Sequence, residues 1–268
     1  MRIAVTGASG NVGGHVVALL SAEGEHEVVG LSRRGPVRAD YDDPVSLRSA
    51  LAGVDTLVFV SSDGEAVRMM AQHENVVRAA ADTGVPHVVY LSGLDVDPAS
   101  PFCYAATNGA TEQLLAASGC ARSVVRASLF GEFFASLLGA ARETGELRLP
   151  AGDAAISLVA RADVARCLAA LATRPPTGRC HEVTGPSSLT MDEVAVLAGR
   201  SWGRPVRYVD VAEADFVAET ALAGESPWWT YAYASMFAAV REDRWARVSG
   251  EVLALTGREP APFTTSLA

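Results

Sequence analysis

The sequence predicts an α/β protein: a doubly wound parallel sheet with a smaller, mainly helical C-terminal lobe. Three observations predict it. Short apolar runs alternate with amphipathic stretches through the first half of the chain, the rhythm of strand–helix–strand units. Those runs are nearly continuous Val, Leu and Ile, as strands covered on both faces require. Gly7, Gly10 and Gly13 stand at three-residue intervals between the first apolar run and the first amphipathic stretch.

Taken in order, "RIAVTG" reads as a first strand and "VGGHVVALLSAEG" as the helix after it. "HEVVGLSR" is a second strand. "DPVSLRSALAG" is a short helix, with Asp43 as cap, Pro44 at its first position and Gly53 at its end. "DTLVFVSS" is a third strand, and "EAVRMMAQHENVVRAAADTG" a long helix closed by Gly84. "HVVYLS", "TEQLLAASG" and "ARSVVRAS" follow as strand, helix and strand. This completes a nucleotide-binding half at about residues 1–132, with strands returning from about 155–185. Residues 133–268 form the second lobe. There "ARADVARCLAALAT" is a helix that Asp163 caps or opens, and "CHEVTG" a strand. "LTMDEVAVLAGRSWG" is a helix with Thr190 and Glu193 as a capping box, and "PVRYVDV" a strand. From Glu213 the chain is mostly helical and carries the aromatic cluster "PWWTYAYASMF".

The 268 residues are 49% hydrophobic, enough to bury a large core in one domain or a domain with a lobe. The formal net charge of −9 argues against general nucleic-acid binding, because an acidic surface repels phosphate backbones. Cys103, Cys120, Cys167 and Cys180 are widely spaced, with no paired motif and no zinc spacing. They read as reduced thiols of a cytoplasmic protein. No leader precedes the first strand and no apolar run is long enough to span a membrane, so a soluble chain without metal is expected.

The glycine motif acquires meaning from its setting between a strand and a helix. Gly7 permits the tight turn, Gly10 clears room for a diphosphate, and Gly13 lets the helix pack closely on the strand. The helix N-terminus then offers free N–H groups to the phosphates. Gly7, Ser9, Gly10, Asn11, Val12 and Gly13 are the expected phosphate loop of a Rossmann-type site. Strand two ends in "LSRRG" instead of in an acidic residue, and Arg33 and Arg34 suit the 2′-phosphate of NADP(H). Asp40 and Tyr41 are candidates for the adenine edge, and Ser61 and Ser62 for the ligand side of strand three.

The ordered segments "TGASGNVG", "ADYDDPVSLRSAL", "QHENVVRAAADTGVPHVVYLS", "TEQLLAASG", "CHEVTGPSSLTMDEVA" and "LTGREPAPF" resemble the NmrA-like group of atypical short-chain dehydrogenases. Among these they are most similar to the type 2 NADPH-dependent quinone oxidoreductases. The resemblance spans nearly the whole chain. It implies an NADP(H) site, a cleft between the lobes and a small aromatic or quinone substrate. Some relatives are redox sensors without turnover, and others tailor polycyclic natural products in secondary metabolism.

The resemblance also places the chemistry. Short-chain dehydrogenases use Ser, Tyr and a Lys four residues after the Tyr; Ser92 and Tyr104 match the first two, and Asn108 stands in place of the Lys. The quinone reductase pattern has His at position 108 and asparagines where Ala127 and Phe133 stand here. A tyrosine without a nearby cation lacks a source of lowered pKa. Either the pocket is greasier and needs little acid–base help, or the standard chemistry is lost. Phe130, Phe133 and Phe134 follow a strand end and are the expected substrate-binding residues, with core or dimer packing the alternative for Phe133 and Phe134. Trp228, Trp229, Tyr231 and Tyr233 are candidates for the same pocket or for core or homodimer packing. Glu112 and Arg126 read as a structural ion pair, and His73 as a hydrogen-bond partner of a neighbouring loop.

The leading expectation is an NADPH-dependent oxidoreductase reducing a quinone or polycyclic aromatic carbonyl. The alternatives are a dinucleotide-reading regulator, or a tailoring enzyme for coupling, cyclisation or dehydration.

Overall fold

The computed structural model describes residues 1–267. The first half comprises β1 (Arg2–Val5), α1 (Asn11–Glu23), β2 (Glu27–Ser32), β3 (Val37–Arg38), α2 (Pro44–Leu51), β4 (Thr56–Val60), α3 (Ala66–Asp82), β5 (His87–Gly93), α4 (Ala105–Ala117) and β6 (Ala121–Ala127). The second comprises α5 (Gly131–Leu137), α6 (Gly139–Thr144), β7 (Glu146–Leu149), β8 (Ala155–Ile156), α7 (Arg161–Ala172), β9 (Cys180–Val183), β10 (Leu189–Thr190), α8 (Met191–Trp202), β11 (Arg207–Asp210), α9 (Glu213–Leu222), α10 (Pro227–Arg241) and α11 (Glu251–Thr256). A single 3₁₀ turn, Phe263–Ser266, follows.

The main sheet has seven parallel strands in the order β3-β2-β1-β4-β5-β6-β9. The winding reverses between β1 and β4, which leaves a crevice beyond their carboxyl ends. Strand residues alternate between two cores, as the two-residue strand period demands. Ile3, Val5 and Val58 pack with α1, α7 and α11; Ala4, Leu57 and Phe59 pack with α2, α3 and α4. A third core around Phe134, Phe237 and Trp245 fills the second lobe. Two small sheets, β10-β8 and β11-β7, brace that lobe.

Local chemistry sets the expected helix ends. Asp43 accepts the Val45 and Ser46 N–H groups at 3.1 and 3.2 Å, and Pro44 opens α2. Thr190 and Glu193 form the reciprocal box at the start of α8. Asp163 differs from expectation: α7 starts from Ala160, and Asp163 lies buried in its first turn. There it pairs with Arg166 and accepts the Ala261 N–H at 2.6 Å, fastening the C-terminal segment to the sheet layer. The pieces not anticipated, β3, β7, β8, β10, α5 and α6, span two to seven residues. Runs that short carry no readable period. No helix among the described residues is long and apolar enough to cross a membrane.

Two contacts bind the helices to the crevice. The first is the crossing of α1 over the β1 turn. A Cβ on Gly13 would stand 2.3 Å from the Gly7 carbonyl oxygen, closer than any heavy-atom contact allows. The second is His73, wholly buried on α3. Its Nε2 accepts the Ser62 N–H at 3.1 Å, and its Nδ1 meets the Thr111 hydroxyl at 2.8 Å. That hydroxyl donates to the Thr107 carbonyl, so Nδ1 carries the imidazole proton. One ring thus holds the β4 loop, α3 and α4 together.

Gly13→Ala should therefore cost about 1–3 kcal/mol of stability, the usual range for forced overpacking. Gly14→Ala, whose Cβ would sit 3.3 Å from the Ala8 oxygen, should cost far less; paired thermal melts read the difference. Burial holds the His73 pKa down at about 4, against an ordinary 6.5. The unfolded chain therefore takes up this proton first as pH falls. The associated stability is complete above pH 6.5 and is lost progressively toward pH 4, a total of about 3 kcal/mol. His73→Gln should flatten that part of a denaturation-against-pH profile.

Candidate active site

The crevice is a cavity of about 620 Å³. Its wall is built from strand ends: Arg33 follows β2, Gly7 follows β1, Ser61 follows β4, Ser92 is the penultimate residue of β5, and Ser128 follows β6. All neighbouring strands of the main sheet run parallel, so these ends fall on one side of it.

At the centre, Gly7 adopts φ +62°, and its carbonyl accepts the Gly10 N–H at 2.9 Å. α1 begins at Asn11 with no capping side chain, so its first N–H groups face the cavity without an internal partner. A Cβ on Gly10 would lie 3.2 Å from the Gly7 oxygen. The Ser62 hydroxyl, also in the wall, is shielded from water and has no partner among the described residues. Backbone approach, free amides and an orphaned hydroxyl form a cradle that fits a dinucleotide.

One end of the cradle holds Arg33, Asp40, Tyr41 and Asp42. Arg33 is exposed there; Arg34 is also exposed and does not line the cavity, because successive residues of the turn point apart. Tyr41 is a fixture of the wall. Its hydroxyl donates to the Val60 carbonyl at 2.6 Å, and burial pushes its pKa well above the usual phenol value. Asp42 joins Arg68 at 2.5 Å and Gln72 at 2.9 Å, and Arg68 draws its carboxyl below the ordinary range. Arg68 and Gln72 lie on α3 and were not anticipated; nothing local distinguishes them from other polar residues of that helix.

The other end contains Ser92, Tyr104 and Asn108. Ser92 donates to Glu112 at 2.8 Å, and Glu112 is held by both arms of Arg126, at 2.9 and 2.6 Å. The expected Glu112–Arg126 pair thus anchors Ser92 from behind. Tyr104 donates to the Gly64 carbonyl at 2.7 Å, and burial pushes its pKa up to about 12. It is a clasp between α4 and the β4 loop, with its proton already engaged. The chain contains no lysine at all, so no ammonium could lower that value. Asn108 is buried in the same wall, its amide packed on Gly93.

Beyond them the wall turns apolar with Phe102, Leu129, Phe130, Phe133 and Trp245. Phe134 is a correction. It is fully buried in the lobe core, its ring 6.3 Å from those of Phe237 and Phe263. Consecutive helix positions diverge by about 100°, so α5 can turn only one of the pair toward the cavity. Trp228, Trp229, Tyr231 and Tyr233 do not line it; Tyr233 backs Phe133 at 5.9 Å between ring centres, and Trp228 lies 6.2 Å from Tyr104. Among the described residues no cluster of His, Cys, Asp or Glu could hold a metal ion.

Comparisons with known proteins agree with this architecture. The model of the NmrA-like family matches residues 1–225. Quinone oxidoreductase 2 of Escherichia coli is 33% identical over 231 residues, covering 81% of this chain and 80% of that protein. A crystal structure of the Escherichia coli NADPH-dependent quinone oxidoreductase with NADPH superposes with a TM-score of 0.92 at 29% identity, covering 99% of this chain and 98% of the other. Citrobacter sp. triphenylmethane reductase complexed with NADP(H) gives a TM-score of 0.88 at 26% identity, covering 100% and 99%. With the family pattern matched over most of its length and solved structures superposing on nearly all of it, the chain belongs to the NmrA-like family.

Proposed function

We propose that the protein is an NADPH-dependent oxidoreductase that passes hydride to a quinone or a similar planar aromatic acceptor. The observation that carries this reading is the cavity itself: a glycine cradle and Arg33 at one end, an aromatic wall at the other, and no acidified proton donor between. When bound, NADPH supplies a hydride. The amides of α1 would hold its diphosphate and Arg33 its 2′-phosphate. Its ribose and nicotinamide end would lie along Ser61, Ser62, Ser92 and Asn108.

The acceptor's demands match what the chain offers. Hydride addition to a quinone leaves a resonance-stabilised phenolate, which solvent protonates. Ser92 and Tyr104 then need only position the acceptor, since both hydroxyls already donate elsewhere and burial holds the Tyr104 phenol pKa up at about 12. Phe130 and Phe133 line that end with apolar rings, which suit a flat aromatic acceptor held against the nicotinamide. Relatives fit this range: one is named for quinones and one structure for a triphenylmethane dye.

The same engaged hydroxyls favour a second reading, a protein that binds NADP(H) and reports on it without turnover. A purified sample mixed with NADPH and a panel of quinones, followed at the reduced-nicotinamide absorbance band, separates the two. Turnover supports the oxidoreductase; tight binding without turnover supports the sensor.

Arg33→Ala should lower the preference for NADPH over NADH by roughly tenfold to a hundredfold, the range for losing a charge-assisted hydrogen bond. An unchanged ratio of affinities in calorimetry would remove Arg33 from the 2′-phosphate site. Phe133→Ala should raise KM for a planar quinone by roughly tenfold, the value of an aromatic contact at the upper end of its range. The thermal midpoint should move by only a few degrees, because Phe133 is only partly buried and Phe134 keeps the core filled.

A further inference from the structure

The aromatic end of the cavity carries one charge with no part in the hydride transfer proposed. Arg161, the first residue of α7, lines the wall with its guanidinium 5.5 Å above the Phe130 ring. Among the described residues it forms no ion pair and donates no side-chain hydrogen bond. The neighbouring carboxylate, Glu132, is occupied with backbone instead: both of its oxygens accept the Arg161 main-chain N–H, at 3.0 and 3.1 Å. The acidic residues that do line the cavity are Asp40 and Asp42, which follow β3, and Asp63, which follows β4.

Three other half-buried arginines are held by carboxylates. Arg126 is clamped by Glu112, Arg166 by Asp163 and Arg244 by Asp97. Arg161 instead rests on a ring. Stacking on an aromatic face fixes the plane of a guanidinium and leaves its edge donors free. Such an edge presents two parallel N–H groups, the geometry that phosphate, carboxylate and sulfonate oxygens accept. The backbone beneath the residue is also held in place. The Phe130–Val159 bridge and the Gly131 N–H to Val159 carbonyl bond at 2.8 Å keep the two segments side by side.

We propose that Arg161 is an oxyanion-binding residue of the cavity, and that the group it takes is either an acidic substituent of the aromatic acceptor or the diphosphate of the dinucleotide. The chemistry is the same for both sources: a tetrahedral or planar oxyanion gripped by the guanidinium edge beside Phe130. An acceptor source makes Arg161 a specificity residue that favours acidic aromatic substrates. This inference rests on the proposed function for the existence of an acceptor, and the experiment keeps the two apart.

The experiment compares wild type, Arg161→Met and Arg161→Lys with two acceptors of similar shape, 1,4-naphthoquinone and its 2-sulfonate. The readouts are the ratio of their kcat/KM values and the calorimetric affinity for NADPH alone. If the acceptor supplies the anion, Arg161→Met lowers the sulfonate-to-parent ratio at least tenfold, and Arg161→Lys restores part of it. If the diphosphate does, the ratio stays constant while NADPH affinity falls at least tenfold in Arg161→Met and partly recovers in Arg161→Lys. A ratio and an affinity both within twofold of wild type overturn the proposal. Should wild type reduce neither quinone, calorimetry with NADPH and with the sulfonate still reads the site. A charge-dependent loss of binding in the variants would then uphold Arg161 while the oxidoreductase reading fell.

Discussion

The structure depends on the closeness of two pieces of backbone, the Gly7 carbonyl and the first turn of α1 at Gly13. Their approach leaves no volume for a methyl group. That contact seats α1 on the sheet, turns its uncapped N–H groups toward the crevice and sets the floor on which every other wall residue is arrayed. A helix start without a side-chain cap is ordinarily a deficit. Under the proposed function the missing cap becomes the binding feature, since a side chain that satisfied those amides would occupy the space a diphosphate would take.

Around that floor the protein commits its polar protons inward. Ser92 gives its proton to Glu112, Tyr104 to Gly64 and Tyr41 to Val60. Each bond strengthens the wall and withdraws a potential acid from the reaction. The absence of lysine reinforces this pattern: the permanent side-chain cations are all arginine, which stays charged and delivers no proton near neutrality. A site so made suits an acceptor whose reduced form needs no help from a protein acid. Under that reading, discrimination would come from shape, from aromatic rings and from fixed positive charge.

Much of this was legible in the chain itself. The strand–helix rhythm, the caps at Asp43 and Thr190 and the glycine turn are local, because each follows from residues within a few positions of one another. The phosphate-loop residues, Arg33, Asp40, Tyr41, Ser61, Ser62, Ser92, Tyr104, Phe130 and Phe133 all meet in one cavity, since a parallel sheet brings its strand ends to one side. Expectation failed where direction mattered more than position. Phe133 and Phe134 are neighbours in sequence and part company on α5; Arg33 and Arg34 do the same in the turn after β2.

Short-range sterics and the periodicity of apolar residues, both readable along the chain, settle the α/β class, the glycine-built floor and the arginine beside it. Packing of distant segments settles the rest: which hydroxyls are already engaged, which aromatic ring faces the cavity and which guanidinium stands there unpaired. Arg68 comes from α3, Arg161 from α7 and Trp245 from beyond α10, and no local pattern connects them. Their meeting is a product of how the layers stack. Burial and hydrogen-bond partnership, which set the state of Tyr104 and His73, exist only once remote parts of the chain have closed on one another.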